Sequence, residues 1–331
     1  MNSGEIAQLE KLNELLAALW ESNQFYRAKW FAAGLKPGRL GSLDDLRNYP
    51  LTTRAELARD QQAHPPFGTN HTLPIASFTR LHRSSGTTGA PLFWGDDAAS
   101  WRSLTSSSRM LWERAGVGRQ DRVFLAMPFG VSLGPWSIAA GAWELGCLCF
   151  APGQGTIEQE LDWIKQVHPT VLASKPAHLL ALAAAAELAG VAAASLGVRK
   201  LIAGGAPGGH EPQTRRELER RWGAECFDRY GMTEAGPIAG ECSAHSGAMH
   251  LLESELIAEV IIPGTEQPAP EGNQGELILT NLSRIGCPIV RYRTGDVTRL
   301  GRGDVCQCGN PGALIKSGVK RMAEAAEIGG H

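Results

Sequence analysis

The chain has 331 residues, of which 43% are hydrophobic and 20% are charged, with a formal net charge of −2. This length permits two or three packed subdomains, and the small net charge argues against a general attraction to nucleic acid or an anionic membrane. No apolar run is long enough for a membrane span, and we expect no signal peptide. The seven cysteines are therefore expected in a reducing cytoplasm rather than in a disulfide framework.

The segment of about residues 1–70 is predicted to be mainly helical. Apolar residues recur at spacings of three and four between Ile6 and Trp20, which indicates a helix with one apolar face. Farther along, Ser42 precedes Asp44 and Asp45 and is expected to cap a short helix whose first turn carries acids.

From about residue 71 to 247, short apolar runs alternate with stretches of helical period. Strands are predicted at 122–127, 147–150, 170–173 and 198–203, and helices at 136–145, 157–167 and 179–194. Such alternation predicts parallel strands joined by crossover helices.

From about residue 248 to 331 the pattern changes to short β-rich segments, at 255–262, 275–280 and 297–300. These segments predict a small antiparallel sheet or a distorted barrel. Residues 322–331 have little apolar surface to bury and are expected to fray. The predicted fold class is α/β, with parallel-rich sheets in αβα layers and a small β-rich subdomain.

A segment rich in glycine and hydroxyl groups lies near the start of the α/β part. It consists of Ser84, Ser85, Gly86, Thr87, Thr88 and Gly89. Glycine lets the backbone approach an anion closely, while hydroxyls and amides donate to phosphate oxygens. A surface turn has the same composition, and the Gly-Lys-Ser/Thr of a Walker loop does not follow. A phosphate loop and a plain turn therefore both remain open from these residues alone.

This segment resembles the phosphate loop of the adenylate-forming superfamily, which includes acyl-CoA synthetases, luciferases and peptide-synthetase adenylation domains. Three further segments resemble motifs of that superfamily in the expected order, namely 204–207, 230–234 and 291–296. Finer features resemble its phenylacetate–CoA ligase-like branch: Trp101, Phe129-Gly130, Glu241-Cys242 and Pro288-Ile289-Val290. The resemblance covers roughly residues 10–322 and implies the large N-terminal core of the adenylate-forming fold.

The resemblance also implies how ATP is bound. The loop Ser84 to Gly89 would hold the β- and γ-phosphates. Tyr230 and Ala206 would sandwich or flank the adenine. The other residues expected to bind the nucleotide are Gly205, Pro207, Gly231 and Met232. Thr233 would contact the α-phosphate, Glu234 would hold Mg²⁺, and Asp296 would accept both ribose hydroxyls. Thr233 and Glu234 are accordingly the predicted catalytic residues.

The pocket for the carboxylic acid is predicted from the same resemblance. Its expected residues are Phe129, Gly130, Gly204, Gly236 and Pro237. They are apolar or small, and no Lys or Arg is obvious among them that could meet a second charge. A small aromatic or other flat apolar acid is therefore expected. A plain core role for Phe129 stays open.

A second group of residues has the chemistry of a structural metal site. Cysteine and histidine are typical ligands of tetrahedral zinc, and Cys242, His250, Cys306 and Cys308 offer four such groups. The resemblance implies zinc here, with His245 as a competitor for His250. Unrelated buried thiols and a surface cysteine pair remain the alternative.

The resemblance further implies a mobile C-terminal domain with a catalytic lysine, which we expect this chain to lack. Where the hinge motif would lie, the chain reads Gly318 to Met322, and Lys316, Lys320 and Arg321 are equal candidates for the missing charge. The expected function is ATP- and Mg²⁺-dependent formation of an acyl-AMP. The acyl group would then pass to a separate acceptor or partner protein, in secondary metabolism such as phenazine-type antibiotic biosynthesis.

Two alternatives remain for the function. The chain is a shortened aryl-CoA ligase, which leaves the use of CoA open, or it is a relative that binds a nucleotide or acyl group without catalysis. A homodimer is expected from the resemblance, and neither nucleic acid nor a membrane is expected as a partner.

Overall fold

The computed structural model describes residues 3–84, 91–153, 155–302, 306–310, 312–316 and 318–322, with the backbone alone at positions 245 and 246. The α-helices within these ranges are α1 (Ser3–Ser22), α2 (Gln24–Ala32), α3 (Arg54–Ala63), α4 (Ala98–Arg114), α5 (Leu133–Glu144), α6 (Ile157–Val167), α7 (Pro176–Leu188) and α8 (Pro212–Trp222). Short 3-10 helices span Leu43–Asn48, Ile75–Ser77 and Ala193–Leu196. In the described ranges, no helix is long and apolar enough to cross a membrane.

The strands of the described residues form one small and one large sheet. The first strands of the chain are β1 (Phe78–Arg83), β2 (Phe93–Asp97), β3 (Arg122–Leu125), β4 (Leu148–Phe150), β5 (Val171–Ser174), β6 (Lys200–Gly204) and β7 (Glu225–Met232). They are followed by β8 (Gly236–Cys242), β9 (His245–Leu251), β10 (Leu256–Ile261), β11 (Gln274–Asn281), β12 (Tyr292–Gly301), β13 (Leu314–Ile315) and β14 (Lys320–Arg321). Strands β1 and β2 form an antiparallel pair, and the others form a 12-stranded sheet in the order β10-β11-β12-β13-β9-β8-β7-β6-β5-β3-β4, with β14 beside β12.

The half of the large sheet from β4 to β7 is parallel, as the alternating sequence pattern predicted. Successive side chains of a strand point to opposite faces, and each face of this half is covered by helices. Phe124 and Leu201 pack with α6, α7 and α8 on one face, whereas Val123 and Ile202 pack with α4 and α5 on the other. The predicted α/β class with αβα layers is confirmed.

The β-rich part continues the same large sheet instead of forming a separate small one. Strand β13 pairs with β12 on one side and with β9 on the other, and so joins the strands that follow residue 250 to the parallel half. Antiparallel pairing begins at β8, which pairs with β7. Local sequence pattern could not show this continuity, because β13 has only two residues.

Several helices agree with the sequence pattern, and others were not predicted individually. Helix α1 is observed, and Ser42 begins the short helix at Leu43–Asn48, where its backbone N–H donates to the carboxylate of Asp45 at 2.8 Å. Helices α4 and α8 were not predicted. Helix α8 buries Arg215 together with Leu218 and Trp222, so its apolar face is too narrow to stand out among charged residues. The expected fraying after residue 322 lies outside the described residues.

Candidate active site

Two of the predicted ligand-binding segments, 204–207 and 230–234, meet at the carboxyl-terminal edge of the parallel strands. Strand β6 ends at Gly204, and Gly205 then turns the chain with a φ of +76°, which favours glycine. Ala206 and Pro207 follow, exposed to solvent. Strand β7 ends at Met232, beside β6. Ligands of open α/β sheets bind at this edge.

Tyr230 and Asp296 come together across 66 residues of sequence. The Tyr230 hydroxyl donates to Asp296 Oδ2 at 2.6 Å, and the Asp296 side chain is buried. Burial, followed by the charge of Asp296, raises the pKa of Tyr230 well above its ordinary value, so the phenol stays protonated and remains a donor. Tyr230 and Asp296, two of the residues that the motifs suggested for the nucleotide, thus form one constellation.

Of the three cations left open near the C-terminal end, the structure brings Arg321 to this constellation. Its Nη1 lies 3.1 Å from Asp296 Oδ1 and donates to the backbone oxygen of Thr294 at 3.1 Å. Lys320 is the register partner of Val297 in the β12–β14 pair, and Lys316 lies against Gly301. Arg321 therefore lies beside the predicted ribose carboxylate.

Glu234 forms an ion pair with an arginine that the sequence did not single out. Arg54 Nη1 lies 2.7 Å from Glu234 Oε1, and its Nη2 donates to Ser84 Oγ at 3.0 Å. Arg54 thereby links the predicted magnesium carboxylate to the residue that enters the glycine-rich segment. The other residues of that segment, Ser85, Gly86, Thr87, Thr88 and Gly89, lie outside the described residues.

The turn at Thr233 and Glu234 is held by a buried ion pair that was also missed. Arg284 donates to the backbone oxygen of Thr233 at 2.6 Å and to that of Glu234 at 3.1 Å. The same guanidinium makes two bonds with Asp96, at 2.7 and 2.8 Å, and both side chains are almost fully buried. A bidentate pair of this kind fixes orientation, so it positions the two predicted catalytic residues.

The residues expected around the acid lie in three places. Phe129 packs edge-on against Trp136 with ring centroids 5.0 Å apart, and Trp136 Nε1 donates to the Gly130 oxygen at 2.9 Å. Gly204 lies at the end of β6. The other predicted residues of the pocket, Gly236 and Pro237, lie in β8, and Pro237 is buried and lines a small cavity with residues of α4.

Cys242, His250, Cys306 and Cys308 form the second cluster, and their ligand atoms all lie within 4.8 Å of one another. The sulfurs of Cys242 and Cys306 are 3.6 Å apart, and Cys308 Sγ is 3.4 Å from His250 Nε2. Two thiolates bound tetrahedrally to zinc at ~2.3 Å would lie about 3.8 Å apart, and a thiolate and an imidazole nitrogen about 3.6 Å. The donor set and its spacing fit zinc. The side chain of the competing His245 is not described.

Residues 80–282 match the model of a family described as AMP-binding enzyme. The chain belongs to the AMP-binding enzyme family. The chain is 33% identical to the phenylacetate-coenzyme A ligase of Pseudomonas putida over 299 residues. It is 30% identical to that of Thermus thermophilus over 304 residues. These matches cover 88% and 91% of this chain and 66% of each relative, so the chain spans just under two thirds of their length.

Solved structures agree with this assignment. A 2-hydroxyisobutyryl-CoA ligase in complex with 2-HIB-AMP and CoA superposes with a TM-score of 0.92 at 28% identity, covering 97% of this chain and 69% of the other. MatB from Rhodopseudomonas palustris superposes with a TM-score of 0.55 at 19% identity, covering 76% of this chain and 49% of the other, which supports the fold alone. The resemblance to phenylacetate–CoA ligase-like adenylate-forming enzymes is confirmed.

Proposed function

We propose that this AMP-binding enzyme activates a carboxylic acid with ATP as an acyl-adenylate. The observation that carries the proposal is the convergence of Tyr230, Glu234 and Asp296 at one sheet edge, with Arg54 joining Glu234 to Ser84. Tyr230 and Glu234 belong to one segment, whereas Asp296 and Arg54 come from segments far from it in the chain. Each residue has the chemistry that one part of ATP requires. The names of the relatives, which are CoA ligases, support the same class of reaction.

In the proposed step, a carboxylate oxygen of the acid attacks the α-phosphorus of ATP. The bond between that phosphorus and the bridging oxygen breaks, and pyrophosphate leaves. Two anions must approach, so catalysis depends on positioning and on neutralising charge. Arg54 supplies a cation beside Ser84, Thr233 would contact the α-phosphate, and Asp296 would accept hydrogen bonds from the ribose hydroxyls.

Magnesium would be held by Glu234 together with phosphate oxygens. The fit is chemical, since Mg²⁺ is usually bound by one or two carboxylates plus the phosphates of the substrate. When bound, it neutralises charge on the leaving pyrophosphate. Glu234 Oε1 is held by Arg54 in this structure, so Arg54 has to share or release that oxygen when the ion binds.

We propose a small aromatic or other largely apolar acid as substrate, because Phe129 and Trp136 present ring surface beside the ends of the parallel strands. For the acceptor, the relatives' names favour CoA. Transfer to a partner protein in secondary metabolism is the other candidate. We further propose that Cys242, His250, Cys306 and Cys308 hold structural zinc, which would join the ends of β8 and β9 to residues 306–310.

Exchange of labelled pyrophosphate into ATP, measured over a panel of aromatic acids with mass detection of acyl-AMP, tests the proposal. Glu234→Gln removes the carboxylate and should lower the exchange rate about 10²–10³-fold. Glu10→Gln, on the exposed face of α1, makes the same chemical change away from the site and serves as the matched control. Exchange at an unchanged rate in Glu234→Gln would refute the assignment.

The acceptor is tested after adenylation. Addition of CoA should give an acyl-CoA, detected by mass, if thioester formation occurs in this chain. Release of free acyl-AMP without a thioester would favour transfer to a separate acceptor.

A further inference from the structure

The side chain of Arg229 lies against Gly204, one of the residues proposed to line the acid pocket. Arg229 is in β7, where its register partner in β6 is Gly204 and its partner in β8 is Gly240. A Cβ atom on Gly204 would lie 2.6 Å from Arg229 Cγ. Any side chain at Gly204 would therefore displace the arginine. The predicted pocket residue Gly204 leaves room for Arg229.

Arg229 and Tyr230 point to opposite faces of the sheet, because successive residues of a strand alternate. Tyr230 contacts Asp296 of the nucleotide constellation. Arg229 lies on the face of α4 and α5, with its guanidinium carbon 5.9 Å from the ring centroid of Trp112. Phe129 packs on this same face, against the cluster that includes Trp112. Arg229 is thus on the side of the strand where the acid is proposed to bind.

The guanidinium of Arg229 has neither an ion pair nor a side-chain hydrogen bond among the interactions of the described residues. It lines a small cavity together with Asp228 and Glu241, but both carboxylates have other partners. Asp228 lies 3.3 Å from His210 Nδ1, and Glu241 is bonded to Arg215.

Burial lowers the pKa of Arg229 to about 10, so the group remains a cation near neutral pH. A partly buried cation without an anion is costly, and a ligand carboxylate would offset that cost through two charge-assisted hydrogen bonds. The sequence-based expectation of a pocket without a Lys or Arg therefore does not describe this face.

We propose that Arg229 binds a second carboxylate at the distal end of the substrate, so that the preferred acids are aromatic dicarboxylates. This inference rests on the proposed function for the place of the reacting carboxylate. It adds that the pocket is apolar along its walls and cationic at its floor.

The test uses pairs of acids that differ in charge but not in shape. Terephthalate is compared with 4-carbamoylbenzoate, and 4-carboxyphenylacetate with 4-carbamoylphenylacetate, which covers two lengths. Binding is measured by calorimetry on the full chain in the presence of a non-hydrolysable ATP analogue, and turnover by pyrophosphate exchange. We expect the dicarboxylate of at least one pair to be preferred by about 10- to 100-fold in both readouts.

Four variants separate charge from folding. Arg229→Met, which is neutral, should abolish the preference, whereas Arg229→Lys should keep part of it. Gly204→Ala retains the guanidinium but displaces it, and should also reduce the preference. Arg216→Met removes an exposed arginine of α8 and should change nothing.

Equal binding of the charged and neutral members in every pair, or an unchanged preference in Arg229→Met, would overturn the inference. Arg229-dependent binding without pyrophosphate exchange would support the inference while contradicting the proposed adenylation. Pyrophosphate exchange with the 4-carbamoyl acids alone would support the proposed adenylation while contradicting the inference.

Discussion

Replacing Cys306 with serine removes one of the four ligands of the proposed zinc site. The site joins Cys242 to Cys306, which are 64 residues apart. By the chain-entropy relation for a cross-link, closing a loop of that length stabilises the fold by about 4 kcal/mol. Three ligands remain in Cys306→Ser, and a water molecule can fill the fourth position. We therefore expect the free energy of unfolding to fall by about 2–3 kcal/mol, which is less than the contribution of the full cross-link.

The measurement has two parts. Metal analysis of the purified protein should give about one zinc per chain, and substantially less in Cys306→Ser. In denaturant unfolding, a chelator should lower the free energy of unfolding of the unmodified chain toward that of the variant. The control is Cys149→Ser, a half-buried cysteine of β4 outside the cluster, which should retain its zinc.

The result that would refute this reasoning is a protein that holds no zinc after refolding with the ion and that unfolds identically with and without chelator. The 3.6 Å between the sulfurs of Cys242 and Cys306 would then reflect packing of two thiols. A covalent disulfide needs a sulfur–sulfur distance of about 2.05 Å.

Three further variants test the nucleotide constellation. Arg54→Met should lower kcat/KM for pyrophosphate exchange about 10²–10³-fold, because a cation between Glu234 and Ser84 is lost; an unchanged value would show that Arg54 has only a structural role. Asp296→Asn should weaken ATP binding about 10- to 100-fold by calorimetry, since hydrogen bonds to a charged acceptor are lost. Arg321→Ala should change ATP affinity by no more than about fivefold, because its side chain is 45% exposed and exposed ion pairs contribute little. A larger loss for Arg321→Ala than for Asp296→Asn would contradict this ranking.

The predictions of strands and helices were correct where the hydrophobic pattern of the sequence was local and strong. Helix α6 is observed at Ile157–Val167, as predicted, since it buries Leu161 and Ile164 on one regular face and begins with a capping box at Thr156. Strand β7 was missed as an element although its end carries a recognised motif. Its side chains are buried on both faces near Cys226 and Phe227, so the strand shows no apolar–polar alternation.

The site residues that the sequence did not single out were all missed for the same reason. Arg54 follows Thr53 at the start of α3, and the capping box of Thr53 and Glu56 is visible in the sequence. Its contact with Glu234 spans 180 residues and depends on how the N-terminal helices pack on the sheet. Arg284 and Asp96, 188 residues apart, are a second example. No local pattern contains such information.

The sequence by itself determined the class of fold and the identity of the motif residues Tyr230, Glu234 and Asp296, because each motif is a short run of neighbouring residues. Only the tertiary structure decided which charges meet them. It placed Arg54 on Glu234 and Arg321 on Asp296, and left Arg229 on the side of the proposed acid pocket without a carboxylate partner among the described residues. The physical reason is that ion pairs form between side chains that the order of strands brings together, and strand order is a property of the whole sheet.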